Sequence, residues 1–371
     1  MIDGIINVYK EQGFTSHDVV AKLRGILHQK KIGHTGTLDP DAVGVLPVCL
    51  GSGTKLCDML TDTDKVYRAT MLLGLSTDTQ DTSGAILSEC AAALKDGEQA
   101  CAGPLKASGA IADTYAAAPK QSTLLTDEAA GMPEILLDAD AIRAAIHSFV
   151  GAYDQVPPMY SALKVNGRKL YELAREGREV ERAPRRVEIH EIVIERMETV
   201  EEVIAGIPFK AAPPKLPKIQ VTMTVRCSKG TYIRTLCHDI GHKLGTGGCM
   251  SALARIQVGV FGLESAMTLK EVEAAVSAGT FPEKVTPVDA MFEALPAMTV
   301  DAFGGRLLRN GNPLPQTAVL FAGGRHDGAE AALEDGARVR VYDMEGRFTA
   351  IYAYHRKQRE FKVVKMFTVH S

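Results

Sequence analysis

The run from Gly33 to Pro40, which reads GHTGTLDP, carries polar side chains that could take part in chemistry. Its two glycines let the backbone bend and approach a ligand closely, and Pro40 biases Asp39 towards an extended conformation. The run therefore holds a carboxylate on a stiffened loop, where Asp39 could act as a nucleophile or an acid–base group. An aspartate in such a loop can also be a helix cap or a turn residue. From this run alone, that structural role is the better supported of the two.

One cluster of histidines and cysteines superficially resembles a metal site. His238 and His242 stand four residues apart, with Cys237 and Cys249 nearby. No acidic or cysteine pair completes a known zinc spacing around them. We therefore expect no metal.

Length and composition describe an ordinary globular protein. The chain has 371 residues, of which 46% are hydrophobic and 23% charged, so two or three domains are expected and a disordered chain is excluded. The longest apolar run, Val43–Leu50, is far shorter than the roughly 20 residues of a membrane helix. An odd number of cysteines without C-x-x-C spacing indicates reduced thiols. With Asp3 where a signal peptide would be basic, the sequence predicts a cytoplasmic protein without a membrane segment.

Charge is distributed unevenly along a chain whose formal net charge is −3. Residues 91–140 hold three basic and eight acidic side chains, whereas residues 203–238 hold six basic side chains and no acid. Residues 19–38 are also free of acid, and residues 164–186 hold eight basic side chains against four acidic ones. Such local basic faces suit a polyanion. Solvated helix faces explain the same pattern equally well.

Apolar periodicity predicts the elements that carry these residues. Residues 19–27 have helical spacing after Ser16, which is the expected N-cap. Residues 219–227 alternate as a half-buried strand does. Residues 233–244 form one apolar helix face, for which Thr231 is the expected N-cap.

Three further segments are predicted from composition. Residues 91–140 include fourteen alanines and lack periodicity, so we expect a surface insertion, partly disordered or loosely helical, from which residues 97–133 could be removed by joining the ends. Residues 170–178, which are rich in charges of both signs, are predicted to form a short exposed helix. From about residue 296, turn signals and three strand patterns predict a small β-rich C-terminal domain.

Several short motifs occur in order along the chain: GFTS (13–16), KIGHTGTLDP (31–40), GVLP (44–47), TK (54–55), DKVYRA (64–69), TDTQD (77–81), PPMYSALK (157–164), YELAR (171–175) and CSKGTYIRTL (227–236). In this order they resemble the TruB family of tRNA pseudouridine synthases, in its bacterial stand-alone type. The resemblance covers about residues 1–90 and 145–295.

This resemblance implies isomerisation of uridine 55 in the T-loop of tRNA to pseudouridine, without cofactor or metal. Asp39 would be the essential carboxylate, acting covalently or through a glycal-like intermediate; the sequence fits both routes. Arg234 would be its basic partner, holding its geometry and lowering its pKa. Without the family, a surface ion pair on a helix is the simpler interpretation of Arg234.

The resemblance also implies a pocket for the flipped base. Tyr67 would stack on the uracil and assist proton transfer, although strand alternation equally allows a core tyrosine. Leu253 would contact the uracil, and Tyr232 would line the pocket wall. Leu253 lies in Leu-Ala-Arg, where the family has Leu-Arg-Arg, which leaves one phosphate contact in doubt.

Other residues would bind the rest of the RNA. His34 would fill the space that the flipped base vacates, although a lone histidine is more often structural. Lys31 and Lys164 would bind substrate, within basic segments around residues 22–31, 164–186 and 210–234 that flank the cleft.

The expected fold is an α/β (α+β) pseudouridine synthase domain with a mixed, largely antiparallel sheet over residues 1–295, followed by a PUA-like RNA-binding domain over residues 296–371. The expected partner is tRNA, with no protein partner required and a monomeric state. The alternatives are a non-catalytic tRNA-binding or folding protein and the guide-RNA-dependent relative of archaea and eukaryotes, whose motif typically has serine where this chain has Thr35.

Overall fold

The computed structural model describes residues 2–95, 100–101, 134–165, 167–200, 217–321 and 333–367. Among these residues, no helix is both long and apolar enough to cross a lipid bilayer. In chain order the strands are β1 (Gly4–Lys10), β2 (Ile32–His34), β3 (Val43–Leu50), β4 (Lys65–Leu73), β5 (Leu75–Thr77), β6 (Ile86–Glu89), β7 (Ala91–Leu94), β8 (Ala100–Cys101), β9 (Glu134–Leu137), β10 (Gly151–Gln155), β11 (Lys164–Val165), β12 (Arg168–Lys169), β13 (Arg185–Val200), β14 (Lys218–Cys227), β15 (Gly248–Val258), β16 (Phe261–Gly262), β17 (Ala297–Val300), β18 (Leu314–Pro315), β19 (Val319–Phe321), β20 (Arg338–Tyr342), β21 (Phe348–His355) and β22 (Glu360–Met366). The α-helices are α1 (Ser16–Ile26), α2 (Cys57–Thr61), α3 (Ala139–His147), α4 (Leu170–Arg175), α5 (Ile233–Lys243), α6 (Leu269–Ser277) and α7 (Ala302–Arg309).

The large sheet has the strand order β1-β3-β15-β4-β14-β13-β10. Its main neighbours are antiparallel except β3 and β15, which run parallel. The sheet is therefore mixed and largely antiparallel, as the sequence predicts. Helices α3 and α5 bury their apolar faces against β4, β14 and β13 in the main core, while α1 and α6 pack on β1 and β3.

Helix α1 begins one residue earlier than the sequence indicates. Its N-cap is Thr15, whose hydroxyl accepts a hydrogen bond from the Asp18 N–H at 3.1 Å, while the Asp18 carboxylate accepts one from the Thr15 N–H at 2.8 Å. The prediction of Ser16 as N-cap is therefore wrong, because this capping box already satisfies the first turn. The buried Ser16 hydroxyl instead accepts a hydrogen bond from the Leu38 N–H at 2.9 Å, which ties α1 to the loop that carries Asp39.

Among the described residues after 296, strands β17 to β22 form a second, six-stranded sheet of order β18-β22-β21-β20-β17-β19. It has its own apolar core, which confirms the small β-rich C-terminal unit. A further cluster joins the two sheets through aromatic side chains: Phe292, Phe348 and Phe367 have ring centroids 5.2 to 6.0 Å apart.

The ends of the alanine-rich segment are strands, which corrects the prediction of a loose surface insertion. Strands β7 and β9 pair in parallel, Ala91 opposite Glu134 and Leu94 opposite Leu137. Ala92 and Leu94 are buried in the main core. Most of residues 96–133 lie outside the described residues. The strand β8 within them pairs with β13 at Arg196 and Met197.

Joining residue 96 directly to residue 134 is therefore expected to destabilise the protein, by about 2–5 kcal/mol in the free energy of unfolding. Parallel strands need a crossover of about a dozen residues, and a direct join would pull β9 or β7 and its buried Leu94 out of the core. Replacing residues 97–133 with a flexible linker of about 12 residues should cost only about 1 kcal/mol, since closure entropy changes slowly with loop length. Urea unfolding of the two variants beside the full chain measures both values; equal stability of the two variants would contradict the expectation.

Candidate active site

A cleft of about 2010 Å³ opens on the large sheet beside the N-terminal end of α5. The 36–43 loop, β4, the 78–85 loop, α5 and β15 all contribute to its walls. Five of the predicted site residues line it, namely Asp39, Tyr67, Tyr232, Arg234 and Leu253. His34, Lys31 and Lys164 do not line it.

Asp39 and Arg234 form a two-point ion pair in this cleft. Arg234 Nε lies 3.1 Å from Asp39 Oδ2, and Arg234 Nη2 lies 3.3 Å from Asp39 Oδ1. The Arg234 side chain is 8% exposed and that of Asp39 is 42% exposed. Arg234 is therefore buried beneath a carboxylate that still faces the open cleft. Its burial excludes the interpretation of Arg234 as part of a surface ion pair on a helix.

The remaining donors of Arg234 are held by two other segments. Its Nη1 lies 3.4 Å from Asp81 Oδ2 and donates to the Thr79 carbonyl at 3.3 Å, and its Nη2 donates to the Tyr160 carbonyl at 2.8 Å. Asp81 is itself fixed, because its Oδ1 accepts hydrogen bonds from the Ser83 N–H and the Thr79 hydroxyl. With contacts to Asp81 and to two main-chain carbonyls, the guanidinium is fixed in one orientation, in which two of its nitrogens face Asp39.

Lys10 fixes the chain on the other side of Asp39. Its buried ammonium donates to the Pro40 carbonyl at 3.1 Å and to the Ala42 carbonyl at 2.6 Å. Burial lowers the pKa of Lys10 to about 8, against the raising effect of the Asp39 charge. Lys10 therefore anchors the turn that follows the carboxylate.

Burial of the Asp39 carboxyl in the cleft raises its pKa above the ordinary value, and the Arg234 charge opposes that shift. The charge of Asp81 raises it further. Arg234 thus lowers the pKa of Asp39, as the sequence predicts, and burial has the larger and opposite effect.

Arg234→Gln should move the acid limb of the pH–rate profile to higher pH by about 1–3 units. The sign follows from the charges around Asp39: the active form needs ionised Asp39, and removing Arg234 takes away the largest effect that lowers its pKa, leaving only the smaller one of Lys10 against burial and Asp81, so the pKa rises. Asp81→Asn, which removes a negative charge from the same cluster, is the matched control and should not move the limb upward. Single-turnover rates across pH, with thermal unfolding as a check on folding, measure both. An acid limb that stays in place in folded Arg234→Gln would contradict this.

Tyr67 and Leu253 come from neighbouring strands on the wall of the cleft. Leu253 lies opposite Ala69, and Tyr67 lies opposite Arg255. Leu253 is 8% exposed, and burial raises the pKa of the Tyr67 phenol. The site thus presents an apolar wall and a neutral phenol, which suit the face of a flat base and a proton transfer.

Tyr232 is the N-cap of α5, where the sequence predicts Thr231. The Tyr232 side chain makes no cap; instead the Gln155 side chain accepts from the Tyr232 N–H at 2.8 Å and donates to the Tyr232 carbonyl at 3.0 Å. Gln155 therefore replaces the missing cap and fixes the helix turn that carries Arg234. The Thr231 hydroxyl donates to the Ser228 carbonyl at 2.9 Å, which explains why the predicted cap is wrong.

His34 is half-buried at the start of the run from Gly33 to Pro40, which we call the motif loop. Its Nδ1 accepts a hydrogen bond from the Gly36 N–H at 3.3 Å, and its ring meets that of His17 edge-on, with centroids 5.2 Å apart. Burial lowers the pKa of His34, so the ring is neutral. His17, rather than His34, lines the cleft.

The two predicted lysines lie away from the ion pair. Lys164 is exposed on the hairpin of β11 and β12, opposite Lys169, which does line the cleft. The Lys31 carbonyl accepts from the Gly51 N–H at 2.9 Å, and Lys31 lies close enough to Lys55 to help lower the pKa of that partly buried lysine.

The predicted basic segments contribute unequally. Five basic side chains from two of these segments line the cleft: Lys169, Arg175, Arg185, Arg186 and Lys229. Lys218, by contrast, is buried and lies 3.0 Å from Glu89 Oε1, so it is not a phosphate contact. Lys210 and Lys215 lie outside the described residues. The adjacent helix α4 ends at Arg175 and buries Leu170 and Leu173, so it is shorter and less exposed than predicted.

Among the described residues, no three His, Cys, Asp or Glu side chains are grouped so that they could hold a metal ion. In particular, the Asp239 carboxylate beside His238 and His242 accepts a hydrogen bond from the Tyr153 phenol at 3.0 Å. This cluster is thus part of the packing of α5 against β10.

Comparison with protein-family models identifies the chain along most of its length. The model of the TruB family pseudouridylate synthase N-terminal domain matches residues 24–123 and 120–233, and that of the tRNA pseudouridylate synthase B C-terminal domain matches residues 234–293. A relative named tRNA pseudouridine synthase B from Lachnoclostridium phytofermentans is 44% identical, covering 99% of this chain and 100% of its own. Another of that name from Bacillus pumilus is 36% identical, covering 99% and 98%.

Solved structures with the same fold are more distant in sequence. A chain of a Cbf5–Nop10–Gar1 complex matches with a TM-score of 0.57 and 23% identity, over 99% of this chain and 85% of that one. A chain of an H/ACA RNP bound to a substrate RNA containing 2′-deoxyuridine matches with a TM-score of 0.56 and 22% identity, over 99% and 85%. At these identities the likeness establishes the fold, whereas the two family models and the bacterial relatives establish descent. The chain therefore belongs to the TruB family of pseudouridylate synthases.

Proposed function

We propose that this protein isomerises uridine 55 in the T-loop of tRNA to pseudouridine, with Asp39 as the essential carboxylate. The observation that carries the proposal is the Asp39 carboxylate, which is exposed to the cleft and paired with the buried Arg234. The two nitrogen–oxygen distances of this pair are 3.1 and 3.3 Å. The bacterial relatives named tRNA pseudouridine synthase B support tRNA as the substrate.

The proposed reaction exchanges one glycosidic bond for another. The N1–C1′ bond breaks, the detached uracil turns, and a C5–C1′ bond forms; the C5 proton is lost and N1 gains one, so no redox change occurs. Asp39 acts at C1′, Leu253 and the Tyr67 ring hold the base, and the Tyr67 phenol moves protons. Tyr232 forms the pocket wall and His34 fills the space that the flipped base leaves, while Lys31 and Lys164 belong to the surface that binds phosphates.

The basic side chains at the rim support binding of a polyanion to this cleft. With an aromatic content of 6% and no tryptophan, contacts to the backbone should outweigh stacking. We also propose that residues 1–295 are the catalytic domain and residues 296–371 a PUA-like domain that extends the RNA surface. The protein should act in the cytoplasm as a monomer. The cytoplasmic location agrees with the free thiols of Cys49, Cys57, Cys90, Cys227, Cys237 and Cys249.

The test is one incubation of the purified protein with an unmodified tRNA transcript and no other macromolecule, in the presence of EDTA. Pseudouridine at position 55, absent from a transcript with cytidine there, is the expected result. Activity that appears only with added guide RNA or proteins would favour the guide-dependent relative. Tight binding without any pseudouridine would favour a non-catalytic tRNA-binding protein.

A further inference from the structure

Arg255 is the largest fully buried side chain among the described residues, with 1% exposure. It lies in β15 between the two strands that carry the motif loop and Tyr67: Arg255 is opposite Gly44 of β3 and opposite Tyr67 of β4. A Cβ at Gly44 would come within 2.2 Å of the Arg255 carbonyl oxygen, so glycine permits this close approach. The pairing of β15 with β4 shifts register just after Arg255, as strands often do beside active sites.

Carbonyl oxygens and a phenol surround the Arg255 guanidinium. Its Nε donates to the Val45 carbonyl at 2.8 Å and its Nη2 donates to the Gly36 carbonyl at 3.4 Å, while Tyr67 lies directly opposite it on the neighbouring strand. Among the described residues, no carboxylate lies within salt-bridge distance of it. A buried cation without a carboxylate is costly, so a group that can become negative beside it gains stability.

Hydrogen-bond chemistry limits what Arg255 can do with the phenol opposite it. A guanidinium has only donors, so towards Arg255 the phenol oxygen can act only as an acceptor. The O–H proton of Tyr67 is therefore available to another group, and Tyr67 lines the cleft. Arg255 also holds Gly36, three residues before Asp39, so one side chain sets the phenol against the loop that carries the carboxylate.

We propose that Arg255 is a positioning residue for the proposed isomerisation: it orients the Tyr67 phenol and stabilises the phenolate that exists while Tyr67 has given its proton away. The proton balance closes within the reaction. Tyr67 gives its O–H proton to N1 of the detached uracil, and the resulting phenolate takes the proton that leaves C5 after the new bond has formed. This inference rests on the proposed function.

The other groups that face Tyr67 are consistent with this role. Cys227 on β14 and the Asp39 carboxylate on the motif loop are its further electrostatic neighbours, and Arg255 is the cation among them. Burial raises the pKa of Tyr67 while Arg255 opposes that shift, and burial raises the pKa of the Cys227 thiol to about 12. Near neutral pH, Arg255 is thus the charge on this side of the phenol that favours the phenolate.

The first test measures the phenol directly. With 3-fluorotyrosine placed at position 67, the fluorine NMR signal reports its titration in the wild type, Arg255→Met and Arg255→Lys. We expect the midpoint to rise by at least about one pH unit in Arg255→Met and by less in Arg255→Lys, which keeps the charge but loses the fork. If Arg255→Met does not fold, Arg255→Gln, which keeps donors without the charge, replaces it. An unchanged midpoint in a folded, uncharged variant overturns the inference.

The second test is a double-mutant cycle on single-turnover rates, normalised to the folded fraction. Arg255→Met should slow turnover by about 10²-fold when Tyr67 is present and by only a few-fold in the Tyr67→Phe background. Losses that multiply in the double variant would assign Arg255 a general structural role and overturn the inference. The phenol titration needs no activity, so a wild type that forms no pseudouridine would refute the proposed function while the midpoints still decide the contact between Arg255 and Tyr67.

Discussion

Replacing Asp39 with asparagine is expected to lower the single-turnover rate of pseudouridine formation by at least about 10⁴-fold, because the reaction at C1′ rests on one ionised carboxylate. Asparagine has nearly the same shape, and its amide oxygen can still accept a hydrogen bond from Arg234. Arg234 also keeps Asp81 and the Tyr160 carbonyl, so the variant does not leave a buried cation unpaired. The loss should therefore reflect chemistry rather than folding.

Binding should respond far less to the same change. The affinity of Asp39→Asn for tRNA should stay within about tenfold of wild type, or about 1.4 kcal/mol, since it depends on many phosphate contacts. Asp41→Asn is the matched control: Asp41 is exposed, lines the same cleft and loses the same charge two residues away. Its rate should be close to wild type. A rate for Asp39→Asn within about tenfold of wild type would remove Asp39 from the catalytic role.

The parts of this site that sequence could predict are those whose signal is local. The alternation of residues 219–227 predicts β14 correctly, because one residue in two faces the core along a strand. The GHTGTLDP run marks Asp39 because glycines and a proline act on their own neighbourhood. The residues that hold Asp39 in place carry no such signal.

Those supporting contacts join residues far apart in the chain. Ser16 meets Leu38 across 22 positions, Gln155 meets Tyr232 across 77, and Arg255 meets Val45 across 210. The contact between Arg255 and Val45 exists because the sheet order brings β15 and β3 side by side. The motifs GFTS (13–16) and TDTQD (77–81) include Ser16 and Asp81. Nothing in either motif indicates that Asp81 would lie against Arg234.

Strand β7 shows a second limit. Its sequence, Ala91-Ala92-Ala93-Leu94, has neither alternation nor β-branched residues, and alanine is depleted in strands. It becomes a strand because β9 pairs with it and the main core covers Ala92 and Leu94. Tertiary packing overrides local propensity here, and a prediction from composition alone assigned the segment to the surface.

Replacing Tyr67 with phenylalanine is expected to slow turnover by roughly 10²–10⁴-fold while tRNA binding stays nearly unchanged. Phenylalanine keeps the ring that packs on the base and deletes the hydroxyl that can move a proton. Folding should suffer little, since the ring is kept and Arg255 keeps its contacts with the Val45 and Gly36 carbonyls. Tyr67→Leu should add a binding or base-flipping defect of about 1–3 kcal/mol, because it also removes the stacking surface.

The alternative, a tyrosine that serves only the core, predicts a different pattern. Such a residue changed to phenylalanine would alter the unfolding free energy modestly and leave the rate per folded molecule unchanged. Tyr160→Phe is the matched control, since it removes a phenol from the same cleft and leaves the main-chain contact of Tyr160 with Arg234 intact. Single-turnover rates at saturating enzyme, normalised to the folded fraction, separate the two. A Tyr67→Phe rate within about threefold of wild type would mean that the hydroxyl has no chemical role and that the ring alone is what Tyr67 contributes.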